Sequence, residues 1–115
     1  VLTLYGIKNC DTCRKASKAL ENKGHAFQFH DLRQDGLSAE LLDRWLAELG
    51  LATTLNKRST TWRNLSDEDK AAVEGGDITQ AKVLLLANPT LIKRPLLDLG
   101  ERILVGFKQA DYDAL

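Results

Sequence analysis

Within its first stretch the chain changes backbone period twice. An extended run, Val1-Leu2-Thr3-Leu4-Tyr5, passes through Gly6-Ile7-Lys8-Asn9 into an amphipathic segment, and Ala26-Phe27-Gln28-Phe29-His30 then alternates apolar with polar residues. Alternation argues for strand, whereas apolar residues at helical spacing argue for helix. From Thr12 to Asn22 the positions Cys13, Ala16, Ala19 and Leu20 share one helical face, Arg14, Lys15, Lys18 and Glu21 point elsewhere, and Gly24 supplies the stop. The chain therefore opens as β-α-β, and its two cysteines, Cys10 and Cys13, stand at the first strand-to-helix junction.

That position has chemical meaning. The thiolate is the reactive form of cysteine, and the unpaired N–H groups and positive dipole end of a helix N-terminus favour it. Cys10 is the better placed thiol, and Cys13, one turn on, is within reach to resolve a mixed disulfide formed on Cys10. A C-x-x-C beside a β-α-β pattern reads as thioredoxin-like. Two other readings stand beside it: a buried pair that only packs, and half of a zinc site. Zinc is disfavoured because a structural site takes about four ligands, and His25 and His30 lie outside zinc-finger spacing. No metal is expected. Lys8, Arg14 and Lys15 are expected to lower the Cys10 pKa and Asp11 to raise it, the balance depending on side-chain directions. His25 and His30 belong to or border the second strand and read as structural or solvent-facing rather than as proton partners.

The rest of the chain extends the pattern. Ser38 is a plausible N-cap for a helix with Leu41, Leu42, Trp45, Leu46 and Leu49 on its apolar face and Gly50 as terminator. Ser66 precedes an acidic first turn, Asp67-Glu68-Asp69, in a short helix ended by Gly75-Gly76, and a third helix starts near Asp77 and runs to Asn88-Pro89. The segment Leu55 to Arg63 between them reads as too polar and irregular for core, with Trp62 undecided. Arg94-Pro95-Leu96-Leu97-Asp98-Leu99, the turn Gly100-Glu101, and Arg102 to Phe107 read as an antiparallel hairpin, and Asp111 to Leu115 as a final helix. The expectation is an α/β chain, β-α-β then β-β-α, with an inserted all-helical block at about 38–88.

At 115 residues and 43% hydrophobic composition, a single domain spanning 1–115 is expected. Sixteen basic and sixteen acidic residues cancel, so bulk attraction to nucleic acid or an anionic membrane is absent. The apolar runs are short for a bilayer span, and no leader-like segment opens the sequence. A cytoplasmic location is expected, where paired cysteines argue for catalysis rather than a structural staple.

The order of elements, with a cysteine after strand one, resembles the thioredoxin-like ArsC/Spx family, in particular its small bacterial YffB-like branch. The resemblance rests on Tyr5-Gly6-Ile7-Lys8-Asn9-Cys10-Asp11-Thr12, Arg58-Ser59-Thr60-Thr61-Trp62-Arg63, Ile92-Lys93-Arg94-Pro95-Leu96-Leu97 and Val105-Gly106-Phe107. It implies a nucleophilic Cys10, a cis Pro95, and arginines at 94 and 58 near the cysteine. It also implies a glutathione-dependent thiol–disulfide oxidoreductase with no permanently bound cofactor. Glutathione is then co-substrate, a disulfide or an oxidised small molecule or protein the substrate, and glutaredoxin a possible partner. Asn9, Thr12 and Asn56 are the further candidates for contacting glutathione with Arg94, Pro95 and Arg58. The alternative is an Spx-like redox-sensing regulator that contacts RNA polymerase rather than DNA. Arsenate reduction is disfavoured, because the family's arsenate reductases carry a third arginine on the last strand where this chain reads Ile103-Leu104-Val105-Gly106-Phe107.

Overall fold

The computed structural model describes residues 2–115, which divide into two compact units. Val1, the first residue of the expected opening strand, lies outside the described residues.

The first unit comprises the residues up to Gly36 together with Arg94–Leu115. Strands β1 (Leu2–Gly6), β2 (Phe27–Asp31), β3 (Leu96–Asp98) and β4 (Ile103–Val105) form one sheet in the order β2-β1-β3-β4. β1 and β2 are parallel, with Gly6 opposite Asp31, as the helical crossover α1 (Asp11–Asn22) between them requires. β3 is antiparallel to both β1 and β4, with Leu4 opposite Leu97 and Leu97 opposite Leu104. This is a thioredoxin-like arrangement, as the sequence pattern implied. In the hairpin the Leu99 N–H donates to the Arg102 carbonyl at 2.9 Å, so Arg102 belongs to the turn and its side chain is exposed.

Leu4, Leu97, Ala16, Ala19, Leu20 and Tyr112 make the centre of this unit's core. The two alanines let α1 lie close on the sheet, and the short closing helix, Gln109–Asp113, adds Tyr112, whose ring meets Phe107 edge-on at 4.8 Å. That helix begins and ends two residues earlier than the sequence suggested. Past α1, Gly24 takes φ +76°, a conformation costly for any residue with a Cβ.

The second unit, Leu37–Lys93, is helical. Its N-caps follow local chemistry: Ser38 accepts from the Leu41 N–H, Ser66 from Asp69 and Asp77 from Gln80. The segment 55–63 departs from expectation. Leu55 and Trp62 are buried, Leu55 bridges to Ile92, and Ser59 caps a short helix, Thr60–Arg63, by accepting from the Trp62 N–H. The polar residues around these two side chains masked an apolar pair whose spacing follows no single period.

Candidate active site

Cys10 is the N-cap of α1, with extended backbone angles (φ −119°, ψ 118°), and its carbonyl accepts the first helical bond from the Arg14 N–H at 3.0 Å. Its thiol is half-buried, whereas Cys13, inside the first turn, is only 1% exposed. Both are free thiols. Burial alone would raise Cys10, but the Cys13 backbone N–H, the Cys13 thiol and the Arg94 guanidinium all favour the thiolate and together hold it below its ordinary value. Cys13 behaves oppositely. Burial pushes its thiol up, the Ile7 backbone N–H opposes this, the adjacent Cys10 charge adds to it, and the result is about 12. The two sulfurs are thus pushed apart, Cys10 toward the thiolate and Cys13 toward the thiol, a division typical of reactive sites.

The source of this perturbation corrects one sequence expectation. The charged side chain among the leading causes acting on Cys10 is Arg94, not Lys8, Arg14, Lys15 or Asp11. Arg14 turns to Asp11 in an exposed ion pair, so these two charges satisfy each other. Arg94 is brought to Cys10 by the approach to β3, where the Arg94–Pro95 bond is cis. Gly106 secures the same segment: it takes φ +73° and its N–H donates to the Pro95 carbonyl at 2.8 Å.

Gly6 is a residue whose role composition did not reveal. A Cβ built on it would stand 2.6 Å from Cys13 Sγ, so the missing side chain is the seat of the Cys13 sulfur. Asp31, 2% exposed, is another, since its carboxylate accepts from the Lys8 backbone N–H just before the motif. The signal for Gly6 was a glycine at the end of a strand; an aspartate after an alternating strand gives no comparable signal.

Thr12 is half-buried in the first turn and Asn9 is exposed before it. Asn9 and Lys8 border a groove of about 370 Å³, and Lys8 also borders one of about 410 Å³ whose lining includes Cys13, Arg14 and Lys18. Arg58 and Asn56 belong to the second unit. There the Asn56 side-chain oxygen accepts from the Arg58 backbone N–H at 3.1 Å, and the Arg58 side chain is exposed. His30 Nε2 lies 2.7 Å from the Gly36 carbonyl and its ring meets Tyr5, a structural role. Among the described residues, no group of three or more His, Cys, Asp and Glu is gathered as for a metal ion, and no helix is long and apolar enough to cross a membrane.

A model of the ArsC family matches residues 5–115. A solved YFFB protein superimposes with a TM-score of 0.91 at 46% identity, covering 99% of this chain and 97% of that one. An arsenate reductase (ArsC) related protein from Brucella melitensis matches with a TM-score of 0.77 at 42% identity, over 98% and 92% of the two chains. The global transcriptional regulator Spx of Streptococcus mutans is 28% identical over 99% of this chain and 82% of its own length.

Proposed function

The chain belongs to the ArsC family, and on that premise we propose that it is a cytoplasmic, glutathione-dependent thiol–disulfide oxidoreductase. The observation that supports this is the division of labour between the two sulfurs: Cys10 held below its ordinary pKa by Cys13 and Arg94, and Cys13 kept protonated beside it. In the first step the Cys10 thiolate attacks one sulfur of a disulfide R–S–S–R′. The Cys10–S–S–R bond forms, the S–S bond of the substrate breaks, and R′–S⁻ leaves and takes a proton from solvent.

The second step has two routes. A glutathione thiolate attacks the mixed disulfide, or Cys13 does so and passes its proton to the departing thiolate. Once Cys10 is bonded to R its negative charge is gone, and so is the contribution by which it raised Cys13. Cys13 is then easier to deprotonate than in the resting protein, although its burial persists. Two glutathione thiols close the cycle, so that one disulfide is reduced to two thiols and one glutathione disulfide is made. Arg94 is the cation that orients an anionic group beside Cys10. Lys8 lies on the rim of both neighbouring grooves, where a glutathione carboxylate would find a second one. Arg58, Asn56, Asn9 and Thr12 enter this reading through the family resemblance alone.

The test is to trap the intermediate. Cys13→Ser, mixed with a small disulfide in the absence of glutathione, should accumulate an adduct on Cys10 visible by intact mass, and added glutathione should then discharge it. The unaltered protein should turn over with glutathione regeneration coupled to NADPH consumption. Absence of both adduct and turnover would remove the oxidoreductase reading.

A second reading is a redox-sensing regulator, supported by the likeness to Spx and by a cysteine pair able to form an internal disulfide. It predicts an RNA polymerase complex that forms in one redox state and not the other, without glutathione turnover. Arsenate is a poor candidate substrate. β4 (Ile103–Val105) presents no cation, and a missing charge-assisted contact costs about 1.5–3 kcal/mol.

A further inference from the structure

Asp31 closes β2 with a carboxylate that is 2% exposed. Its Oδ1 accepts from the Arg33 and Gln34 N–H groups at 2.8 and 3.0 Å, and its Oδ2 accepts from the Lys8 N–H at 3.1 Å. A buried charge with such partners is retained rather than neutralised. Burial would raise its pKa, but the N–H groups of Gln34, Arg33 and Lys8, with the Lys8 charge, hold it below the usual carboxylate value. The carboxylate thus joins two segments, the turn after β2 and the Ile7-Lys8-Asn9 arc that leads to Cys10.

What lies on the other side of that arc gives the bond its consequence. The arc lies against the Cys13 sulfur, since a Cβ on Gly6 would stand 2.6 Å from it, and the Ile7 backbone N–H favours the Cys13 thiolate as Cys13 in turn favours that of Cys10. Gly6, one residue earlier, is pinned by its carbonyl to the Leu32 N–H at 2.8 Å. Ile7 and Lys8 are adjacent, so the orientation of the peptide held by Asp31 is coupled to that of the peptide touching Cys13.

We propose that Asp31 is a positioning residue for the thiol chemistry: its buried carboxylate clamps Lys8, keeping the Ile7 N–H on Cys13 and the Asn9–Cys10 turn at the head of α1. This rests on the oxidoreductase reading above. Both carboxylate oxygens are needed. Asn in its place has one acceptor oxygen, and its amide nitrogen would face either the Lys8 N–H or the Arg33 and Gln34 pair.

The experiment measures Cys10 alkylation by iodoacetamide against pH in the full chain, located by mass spectrometry, for wild type, Asp31→Asn and Asp31→Ala. Thermal unfolding is followed in parallel, and Leu42→Ala in the second unit serves as a destabilised control. The expected result is that the Cys10 profile moves to higher pH in both Asp31 variants, with a loss of about three- to tenfold in rate near pH 7, while Leu42→Ala keeps the wild-type profile. The sign separates mechanisms. An Asp31 acting only through its charge would, on removal, move Cys10 to lower pH, and that outcome overturns the proposal. So does an unchanged profile accompanied only by a lower Tm.

If neither variant folds, hydrogen exchange on the wild type decides. The Lys8 amide should exchange much more slowly than that of exposed Asn9, and equal exchange overturns the proposal. A wild-type Cys10 no more reactive than free glutathione overturns the oxidoreductase reading and this proposal together; a reactive Cys10 with an unmoved Asp31→Asn profile overturns this proposal alone.

Discussion

Gly6→Ala tests whether the Cys13 sulfur sits where the sheet leaves room for it. The new Cβ would stand 2.6 Å from Cys13 Sγ and 3.3 Å from Cys13 Cβ, inside the 3.4–4 Å of ordinary contact. Neither neighbour yields readily, because Cys13 is 1% exposed and lies in the first turn of α1. Overpacking of this kind costs about 1–3 kcal/mol. A second effect has the opposite sign: Gly6 lies in a strand and is not among the positive-φ glycines, so alanine fits its backbone and restricts the unfolded chain, stabilising by about 0.4–1 kcal/mol. Clash outweighs entropy, and the net loss should be about 1–2 kcal/mol, or a fall in Tm of about 4–8 °C for a chain of this length. The decisive assay is a double-mutant cycle with Cys13→Ala, followed by thermal unfolding of all four proteins under reducing conditions. With the sulfur removed, Gly6→Ala should become close to neutral, giving a coupling of about 1–2 kcal/mol. An equal Tm loss in both backgrounds would refute the reasoning, since the cost would then lie in the sheet and not at the sulfur.

Three further outcomes follow from the same site. Arg94→Ala should lift the Cys10 pKa and reduce glutathione-dependent efficiency about tenfold to hundredfold, the worth of a charge-assisted contact of about 1.5–3 kcal/mol. Arg94→Lys should recover only part of this, since an ammonium lacks the planar fork; unchanged kinetics in both variants would count against Arg94 as the anchoring cation. Stability should fall in alkali. Cys13 is raised from 9.0 to about 12 on folding, so its contribution is complete below about pH 9 and is lost as the unfolded thiol ionises between pH 9 and about 12. Cys13→Ala should flatten that part of the Tm–pH curve. Tyr112→Phe should leave Tm unchanged or raise it, because the buried Tyr112 hydroxyl has no hydrogen-bond partner among the described residues and its desolvation is uncompensated. A loss of more than about 1 kcal/mol in urea unfolding would show that the hydroxyl is bonded after all.

Much of the architecture was legible because it depends on neighbours along the chain. The stripe Cys13, Ala16, Ala19 and Leu20 marks α1, since a helix displays every third or fourth residue on one side whatever surrounds it. Ser38, Ser66 and Asp77 announce helix starts because the N–H groups they accept lie three residues away. The cysteine spacing and its junction are legible for the same reason, and the thioredoxin-like order follows from the succession of periods.

The electrostatics of the site were not legible from neighbours along the chain, and Arg94 was named only by the family resemblance, because charge acts through space. Lys8, Arg14 and Lys15 are near Cys10 in sequence, yet Arg94 supplies the cation, while Arg14 is spent on Asp11. No periodicity signals that Gly6 must be empty to seat Cys13, or that the Asp31 carboxylate reaches the Lys8 N–H across the β1–β2 pair. Leu55 looked like part of a polar loop and Trp62 was undecided, yet both are interior, since burial depends on which distant segments cover them. The sequence by itself thus determined the order of elements, the caps and the place of the thiols, all set by contacts within a few residues. Only the tertiary structure decided which groups push the two thiols apart, because that depends on dielectric, hydrogen bonds and charges gathered from β1, α1 and the approach to β3.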